Sequence, residues 1–229
     1  FVNPTQFNNA EDLKKYPRDL QKDTSLLEKL GVHFVFAPAP EEMYSKEEME
    51  TAFEFDFNGL DEVMEGKMRP GHFNGVVQVV SRLFDFIQPT RAYFGEKDFQ
   101  QLAIIRHMVE RSSMAERYTG LQIIGCPIVR EQSGLAMSSR NERLSSQEKQ
   151  TAIAISQTLF SSVEWAKSAT VEEVQQRVID TINAVPGLEV EYYNIVDKTT
   201  LKPTNTFHNA VGCVTVYCVP VRLIDNIQY

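Results

Sequence analysis

Residues 91–102 read RAYFGEKDFQQL, and this stretch predicts a strand, a tight turn and a helix in succession. The strand ends at Phe94, Gly95 turns the chain, and Asp98 is placed to cap the helix that follows. In an open α/β sheet, ligands bind at the carboxyl ends of the strands. Lys97 is therefore placed to meet a phosphate group beside a helix N-terminus. The same residues also fit an ordinary polar turn.

Predicted helices and strands alternate on both sides of this stretch. Apolar residues at helical spacing predict helices over 19–31, 73–89 and 98–110. In the first of these, the residues predicted to face the core are Leu20, Leu27 and Leu30. Continuous apolar runs predict buried strands at 32–38 (VHFVFAP) and 121–129 (LQIIGCPIV). This alternation predicts an α/β fold with a parallel sheet covered by helices.

A different pattern begins after about Arg130. A capping box, Ser145 to Glu148, starts a predicted helix over 145–167, and a second helix follows over 171–185. The predicted strands that come next are 188–197, 210–221 and 222–227. Helices followed by neighbouring strands are typical of an α+β domain. The predicted domains are therefore 1–130 and 131–229.

Composition and charge exclude several classes of function. The formal net charge is −8, and without a basic stripe nucleic-acid binding is disfavoured. No apolar run approaches the roughly 18 residues that a membrane helix needs. The cysteines Cys126, Cys213 and Cys218 are few and odd in number, which favours reduced thiols in the cytoplasm over a disulfide framework.

A second candidate for phosphate binding is the polar loop GLAMSSRNERLS at residues 134–145. Hydroxyl groups and a guanidinium suit a phosphate chain, and an arginine adds bidentate geometry. The alternative is a solvated linker that ends in the capping box. Ser145 explains the end of the stretch but not residues 137–141, so both interpretations stay open.

Amide and imidazole side chains at other turns are weaker candidates. Asn3 and Gln6 lie at the exit of a possible strand, where amides can orient a carboxylate or a hydroxyl group. The alternative is a turn in which Asn3 caps the next segment. His72 precedes an apolar helix, and a local hydrogen bond at the helix entry is a simpler interpretation than catalysis. No His, Cys and carboxylate spacing resembles a metal site.

Six motifs occur in order along the chain. They are FVNPTQF (1–7), KYPR (15–18), RPGHFNGV (69–76), YFGEKDFQQL (93–102), GCPIVRE (125–131) and GLAMSSRN (134–141). Together they resemble the pantoate–β-alanine ligase family over essentially the whole chain, including VRLIDNI at 221–227. The resemblance implies a Rossmann-like nucleotidyltransferase domain and a smaller α+β C-terminal lid domain. It also implies ligation of pantoate to β-alanine with ATP and Mg2+ through a pantoyl adenylate, commonly in a homodimer.

The resemblance implies roles for individual positions. The implied ATP contacts are Gly95, Glu96, Lys97, Asp98, Val129, Met137, Ser138, Ser139 and Arg140. The implied catalytic residues among them are Lys97, Ser138, Ser139 and Arg140. Gln6 and Gln101 match the glutamines that bind pantoate, with Gln6 also near β-alanine, and Asn3 lies in the motif of Gln6.

Two features depart from the family pattern or match it loosely. Asp23 falls where the family has an acidic residue near magnesium, but Lys22 precedes it where some members have a second acid. The connection over 110–121 is longer than usual and is predicted to extend a surface loop without changing the site.

Family members begin with a strand, a His-x-Gly-His loop and a helix that precede the strand ending in FVNP. The resemblance therefore predicts an N-terminally truncated sheet, with Phe1 and Val2 as the end of a strand, and little turnover from a molecule limited to these residues. One rival is a related nucleotidyltransferase, which would need a cationic acceptor pocket where this chain has Gln6 and Gln101. The other rival is a catalytically silent binding module, because the histidine signature is missing.

Overall fold

The computed structural model describes residues 2–8, 10–51 and 53–229. Contacts within the chain divide it into two units. The first unit comprises Phe1–Phe55 and Arg69–Gln88, and the second comprises Asp56–Met68 and Pro89–Tyr229. A boundary at residue 130 between an ATP-binding domain and a lid domain stays a prediction.

Helices and strands alternate along much of the described chain. The α-helices are α1 (Ala10–Lys15), α2 (Leu20–Lys29), α3 (Pro40–Met43), α4 (Lys46–Glu50), α5 (Met64–Met68), α6 (His72–Ile87), α7 (Phe99–Glu110), α8 (Ser146–Trp165) and α9 (Val171–Asn183). The strands are β1 (Arg91–Gly95), β2 (Gln122–Cys126), β3 (Leu188–Asp197), β4 (Ala210–Cys218) and β5 (Val221–Gln228). Short 3-10 turns span Pro4–Gln6, Glu96–Asp98, Ala115–Tyr118 and Ser139–Arg143.

The long helix of the first unit is α6, which confirms the helix predicted over 73–89. Its apolar residues recur every three or four positions, so Val76, Val80 and Phe84 lie buried on one face. The helix ends at Ile87, and Gln88 adopts a left-handed φ of 48° before Pro89, which cannot continue the helical hydrogen bonding.

The predicted buried strand at 32–38 is wrong. These residues form no strand, and Phe34 is 92% exposed. A strand exists only where a neighbour supplies hydrogen-bond partners, and no described strand pairs with this segment. The core-facing prediction for α2 is also wrong, because Leu20 and Leu30 are exposed. Val2 is not in a strand, and Phe1 lies outside the described residues.

The parallel pair β1 and β2 confirms the strand–helix–strand prediction around residue 95. The strands pair in register, with Ala92 opposite Ile123, and α7 connects them. Leu102 and Ile105 are buried on the inner face of α7. The strand β2 ends at Cys126, earlier than predicted, because Pro127 has no N–H to donate to a ladder.

The last part of the second unit is an antiparallel sheet in the order β3-β4-β5, with α8 and α9 packed on it. Hydrophobic packing joins Leu159 of α8 and Val178 of α9 to Val214 of β4. The predicted capping box is confirmed, because Ser145 Oγ accepts from Glu148 N at 3.2 Å and the Glu148 carboxylate accepts from Ser145 N at 2.6 Å. The described part of the chain is thus α/β, with a parallel and an antiparallel sheet. Among the residues described, no helix is long and apolar enough to cross a bilayer.

We expect Gly212→Ala to destabilise the antiparallel sheet. A Cβ at Gly212 would lie 2.2 Å from the Tyr193 hydroxyl oxygen, and Tyr193 is 1% exposed. Overpacking of this kind costs about 1–3 kcal/mol, which urea denaturation would measure. Tyr193→Phe removes the nearest clashing atom and should return part of that loss in the double variant. Equal stability of Gly212→Ala and the parent would contradict this packing.

Candidate functional site

The turn after β1 carries the residues of the GEKD motif. Gly95 is the last residue of β1 and has extended backbone, and the 3-10 turn Glu96–Asp98 leads directly into α7. The Lys97 side chain is only 17% exposed, with its Nζ 3.9 Å from an Asp98 carboxylate oxygen. The predicted capping by Asp98 is wrong in detail: Asp98 occupies the N-cap position, but its side chain makes no capping hydrogen bond. The Asp98 carboxylate instead lies beside the Lys97 ammonium group.

The first half of the GLAMSSRN segment belongs to a hairpin over residues 129–137 and is not a solvated linker. Met137 N donates to Val129 O at 2.9 Å, and Gly134 makes the bend with a φ of +94°. The hairpin is fixed from inside by Asn141, which is 4% exposed and donates to Ala136 O at 3.0 Å.

A second turn follows the hairpin and carries the predicted phosphate-binding residues. Ser138 Oγ accepts from Arg140 N at 3.2 Å, which caps the 3-10 turn Ser139–Arg143. The hydroxyl of Ser138 and the guanidinium of Arg140 are thereby placed on the same short turn.

One cleft brings together the two predicted phosphate-binding motifs. Lys97, Ser138 and Arg140 line it, and the segment from Arg222 to Asp225 in β5 forms another wall. Three cationic side chains and one carboxylate line it, so the lining as a whole is positive, and together with the Ser138 hydroxyl group it suits an anion. Ser139 does not line this cleft. Gln101 lies one turn beyond, in the first turn of α7, and is partly exposed.

Two of the predicted ATP contacts are large apolar side chains that solvent reaches. Val129 is 65% exposed and Met137 is 54% exposed, on the paired strands of the hairpin. Exposed apolar side chains of this kind suit the flat face of a base.

The first unit holds Asn3 and Gln6 in an internal network. Asn3 is 3% exposed, and its amide donates to Gly75 O at 2.9 Å and accepts from Tyr44 Oη at 3.0 Å. Burial raises the pKa of Tyr44 to about 12, so this phenol stays a donor. A Cβ at Gly75 would lie 2.6 Å from backbone atoms of the Asn3–Gln6 turn, so only glycine allows this approach. Asn3 therefore serves the turn, and Gln6 remains partly exposed beside it.

His72 makes the local hydrogen bond that the simpler interpretation predicts, to Arg69, and also one to Gln6, 66 residues away, which that interpretation did not include. Its Nδ1 lies 2.8 Å from Gln6 O, and its Nε2 lies 3.2 Å from the Arg69 guanidinium. The imidazole thus links the entry of α6 to the turn that carries Gln6.

Asp23 lies in the first turn of α2 and is exposed. Within the described ranges, no three His, Cys, Asp or Glu side chains are grouped to hold a metal ion. Mg2+ in proteins is usually bound by one or two carboxylates together with water and substrate phosphates. A single exposed carboxylate such as Asp23 fits Mg2+ in that way, with the other ligands coming from water and substrate.

Comparisons with known proteins agree on one family. The family model for pantoate-beta-alanine ligase matches residues 1–228. The chain belongs to the pantoate–β-alanine ligase family. Among curated relatives, a pantothenate synthetase from Phocaeicola vulgatus is 58% identical over all of this chain and 80% of its own length. One from Bacteroides thetaiotaomicron is 56% identical over all of this chain and 79% of its own length.

Solved members of the ligase family share the fold. Pantothenate synthetase from Thermus thermophilus matches all of this chain and 81% of its own, with a TM-score of 0.91 at 40% identity. A ligase from Francisella tularensis, solved with beta-gamma ATP and beta-alanine, matches all of this chain and 77% of its own, with a TM-score of 0.77 at 33% identity. The predicted nucleotidyltransferase-like fold is thereby confirmed.

Sequence reasoning missed a buried charge network that includes Arg222 of the cleft. Arg222 donates to both carboxylate oxygens of Glu65 at 2.7 Å and also to Glu191. Burial alone would lower the pKa of Arg222, but the two carboxylates raise it overall. Burial also raises the pKa of Tyr192, which donates to Glu65. Arg222 lies in the VRLIDNI motif, but nothing around Glu65 in the sequence indicates a partner 157 residues away.

A second buried ion pair fixes the base of the hairpin. Arg130 donates to both carboxylate oxygens of Asp225, at 2.7 and 2.9 Å, and to Gly134 O at 3.2 Å. The Asp225 side chain is 4% exposed and that of Arg130 is 17% exposed. The guanidinium also lies over the Phe160 ring, 4.9 Å from its centre. Arg130 thus ties the hairpin to β5 and α8.

Cys213, one of two buried cysteines in β4, is a poor nucleophile. Burial raises the pKa of Cys213 to about 12, so it stays protonated at neutral pH.

We expect Asp225→Asn to destabilise the protein strongly, because it leaves the Arg130 charge in a largely buried place without its counter-charge. Removing one partner of a buried ion pair costs about 3–5 kcal/mol, which urea denaturation would measure. Lys167→Ala is a matched control, since the Lys167–Glu164 pair is exposed (67% and 69%) and should change stability little. A loss no larger for Asp225→Asn than for Lys167→Ala would contradict the structural role of this pair.

Proposed function

We propose that this chain ligates pantoate to β-alanine with ATP through a pantoyl adenylate, releasing AMP and pyrophosphate. The observation that carries the proposal is the cleft lined by Lys97, Ser138 and Arg140, in a chain that belongs to the pantoate–β-alanine ligase family. The solved relative with beta-gamma ATP and beta-alanine supports these two substrates.

The first step is attack by the pantoate carboxylate on the α-phosphorus of ATP. The new O–P bond forms as the bond to the β-phosphate oxygen breaks, and pyrophosphate leaves. The nucleophile is already ionised, so no general base is needed. Catalysis is positioning and electrostatic stabilisation of the phosphoryl oxygens. We assign this role to Lys97, Ser138, Ser139 and Arg140.

The remaining binding roles follow the family motif. Asp98 faces the ribose, and Gly95 and Glu96 present the turn that carries Lys97. Val129 and Met137 lie beside the base, in keeping with their exposed apolar side chains. Gln101 and Gln6 bind pantoate, with Gln6 also near β-alanine and Asn3 supporting its turn through the Asn3–Gln6 hydrogen bond of 3.3 Å.

The second step is attack by the β-alanine amine on the acyl carbon of the adenylate. The C–N bond forms, the bond to the AMP oxygen breaks, and the amine loses its proton to solvent. Closure of the C-terminal domain over the site would keep water from the adenylate in the interval.

Mg2+ would neutralise phosphate charge, with Asp23 as the carboxylate that helps to hold it. We further infer a homodimer in the cytoplasm. The Mg2+ site, the dimer and the location rest on the family resemblance alone.

The two-step route predicts that pantoate alone supports isotope exchange. The enzyme as its gene encodes it should exchange labelled pyrophosphate into ATP with pantoate present and β-alanine absent, because the first step is complete before the amine reacts. Scintillation counting of ATP would measure the exchange. Exchange that requires β-alanine would rule out a free adenylate.

We expect Lys97→Ala to lower the rate of adenylation by about 10²–10³, since a preorganised donor is lost where charge develops. The pantoate-dependent pyrophosphate exchange measures this step. The β-alanine step, started from preformed pantoyl adenylate, should keep more of its rate. Adenylation at the parent rate would refute the phosphate role of Lys97.

The companion variant Gln101→Ala should raise the KM for pantoate more than the KM for ATP, because Gln101 is assigned to the acceptor rather than the nucleotide. Steady-state kinetics with each substrate varied in turn would separate the two. An equal rise for both substrates would contradict that assignment.

A further inference from the structure

A buried amide of the last strand holds the turn that carries Lys97. Asn226 in β5 is 2% exposed. Its Nδ2 donates to Glu96 O at 2.8 Å and to Lys97 O at 3.0 Å. Both amide hydrogens are therefore used on two successive carbonyls of one turn. Gln228, the next residue on the same face of the strand, adds a bond of 3.2 Å from its amide to the Glu96 carboxylate.

The turn is short. It consists of three residues between β1 and α7, and Asp98 gives it no capping hydrogen bond. Lys97 is a long side chain, so a small rotation of its backbone moves the ammonium group by a larger distance. The pair of bonds from Asn226 restrains the peptide planes on both sides of the Lys97 Cα, because one carbonyl precedes Lys97 and the other is its own.

The neighbouring residue on β5 anchors the other wall of the cleft. Asp225 holds the hairpin through Arg130, and its Oδ1 also accepts from Asn226 N at 2.8 Å. Asn226 thus contacts the turn that carries Lys97. Its neighbour Asp225 contacts, through Arg130, the hairpin that leads into the Ser138–Arg140 turn.

We propose that Asn226 is a positioning residue for Lys97 in the adenylation step. The inference rests on the proposed role of Lys97 at the ATP phosphates. Asn226 touches no substrate; it acts by holding the Lys97 backbone where the ammonium group meets the developing charge. A displacement of about 1 Å at such a group can cost on the order of 10² in rate.

The test is a double-mutant cycle in the enzyme as its gene encodes it, with pantoate-dependent pyrophosphate exchange as the readout. Asn226→Ala removes both donors. Asn226→Leu keeps about the same volume, removes both donors and adds no charge; it is the variant to use if the alanine change prevents folding. Each is combined with Lys97→Ala. Melting temperature is measured for all variants by circular dichroism.

A control at a more exposed asparagine separates positioning from general stability. Asn183 also uses its side chain on the backbone, accepting from Val190 N at 2.8 Å, but this bond links α9 to β3 rather than the Lys97 turn. Asn183→Ala should lower the melting temperature and leave the exchange rate of the folded protein unchanged.

With Lys97 present, Asn226→Ala should lower the exchange kcat by about 10–100-fold, with the pantoate KM within about 3-fold of the parent. In the Lys97→Ala background, the same change should cost less than about 3-fold, because the group it positions is gone. Equal losses in the two backgrounds, or an unchanged kcat in folded Asn226→Ala, would overturn the proposal. A parent-like rate for Lys97→Ala alone would instead refute the proposed role of Lys97, and the inference would fall with it.

Discussion

A carboxylate that is almost completely buried must be paired with a positive charge. Asp225 meets this requirement through Arg130, which donates to both of its carboxylate oxygens. That constraint fixes where the hairpin over 129–137 lies against β5. The turn that carries Ser138 and Arg140 begins directly after the hairpin, so its place follows from the same contact. The strand β5 in turn takes its position from pairing with β4.

The cleft is lined by strand β5, by the end of the hairpin and by the turns that carry Lys97 and Arg140. Arg222 is neutralised by Glu65 and Glu191, so its charge serves the fold. Lys97 faces an Asp98 oxygen at 3.9 Å, longer than a charge-assisted hydrogen bond. A nucleotide phosphate can therefore compete for Lys97 in a way that it cannot for Arg222.

Sequence patterns succeeded where local physics decides the outcome. The capping box at Ser145, the helix before Pro89 and the strand–turn–helix over 91–102 each depend on residues close in sequence. The strand predicted at 32–38 failed because an apolar run specifies a preference for burial, whereas a strand needs a neighbour. The Asp98 cap failed because the N-cap position does not fix where its side chain points.

The sequence by itself determined the family, the α/β class and the two motifs of the cleft, because the motif residues lie together within short stretches. Only the tertiary structure decided that these motifs share one cleft, and that Asn226 and Asp225 hold its two walls. The contact from Asn226 to Lys97 spans 129 residues, and the one from Arg130 to Asp225 spans 95. Hydrogen-bond partners at such separations leave no periodicity or spacing in a single sequence; they exist only once β5 has paired in its sheet.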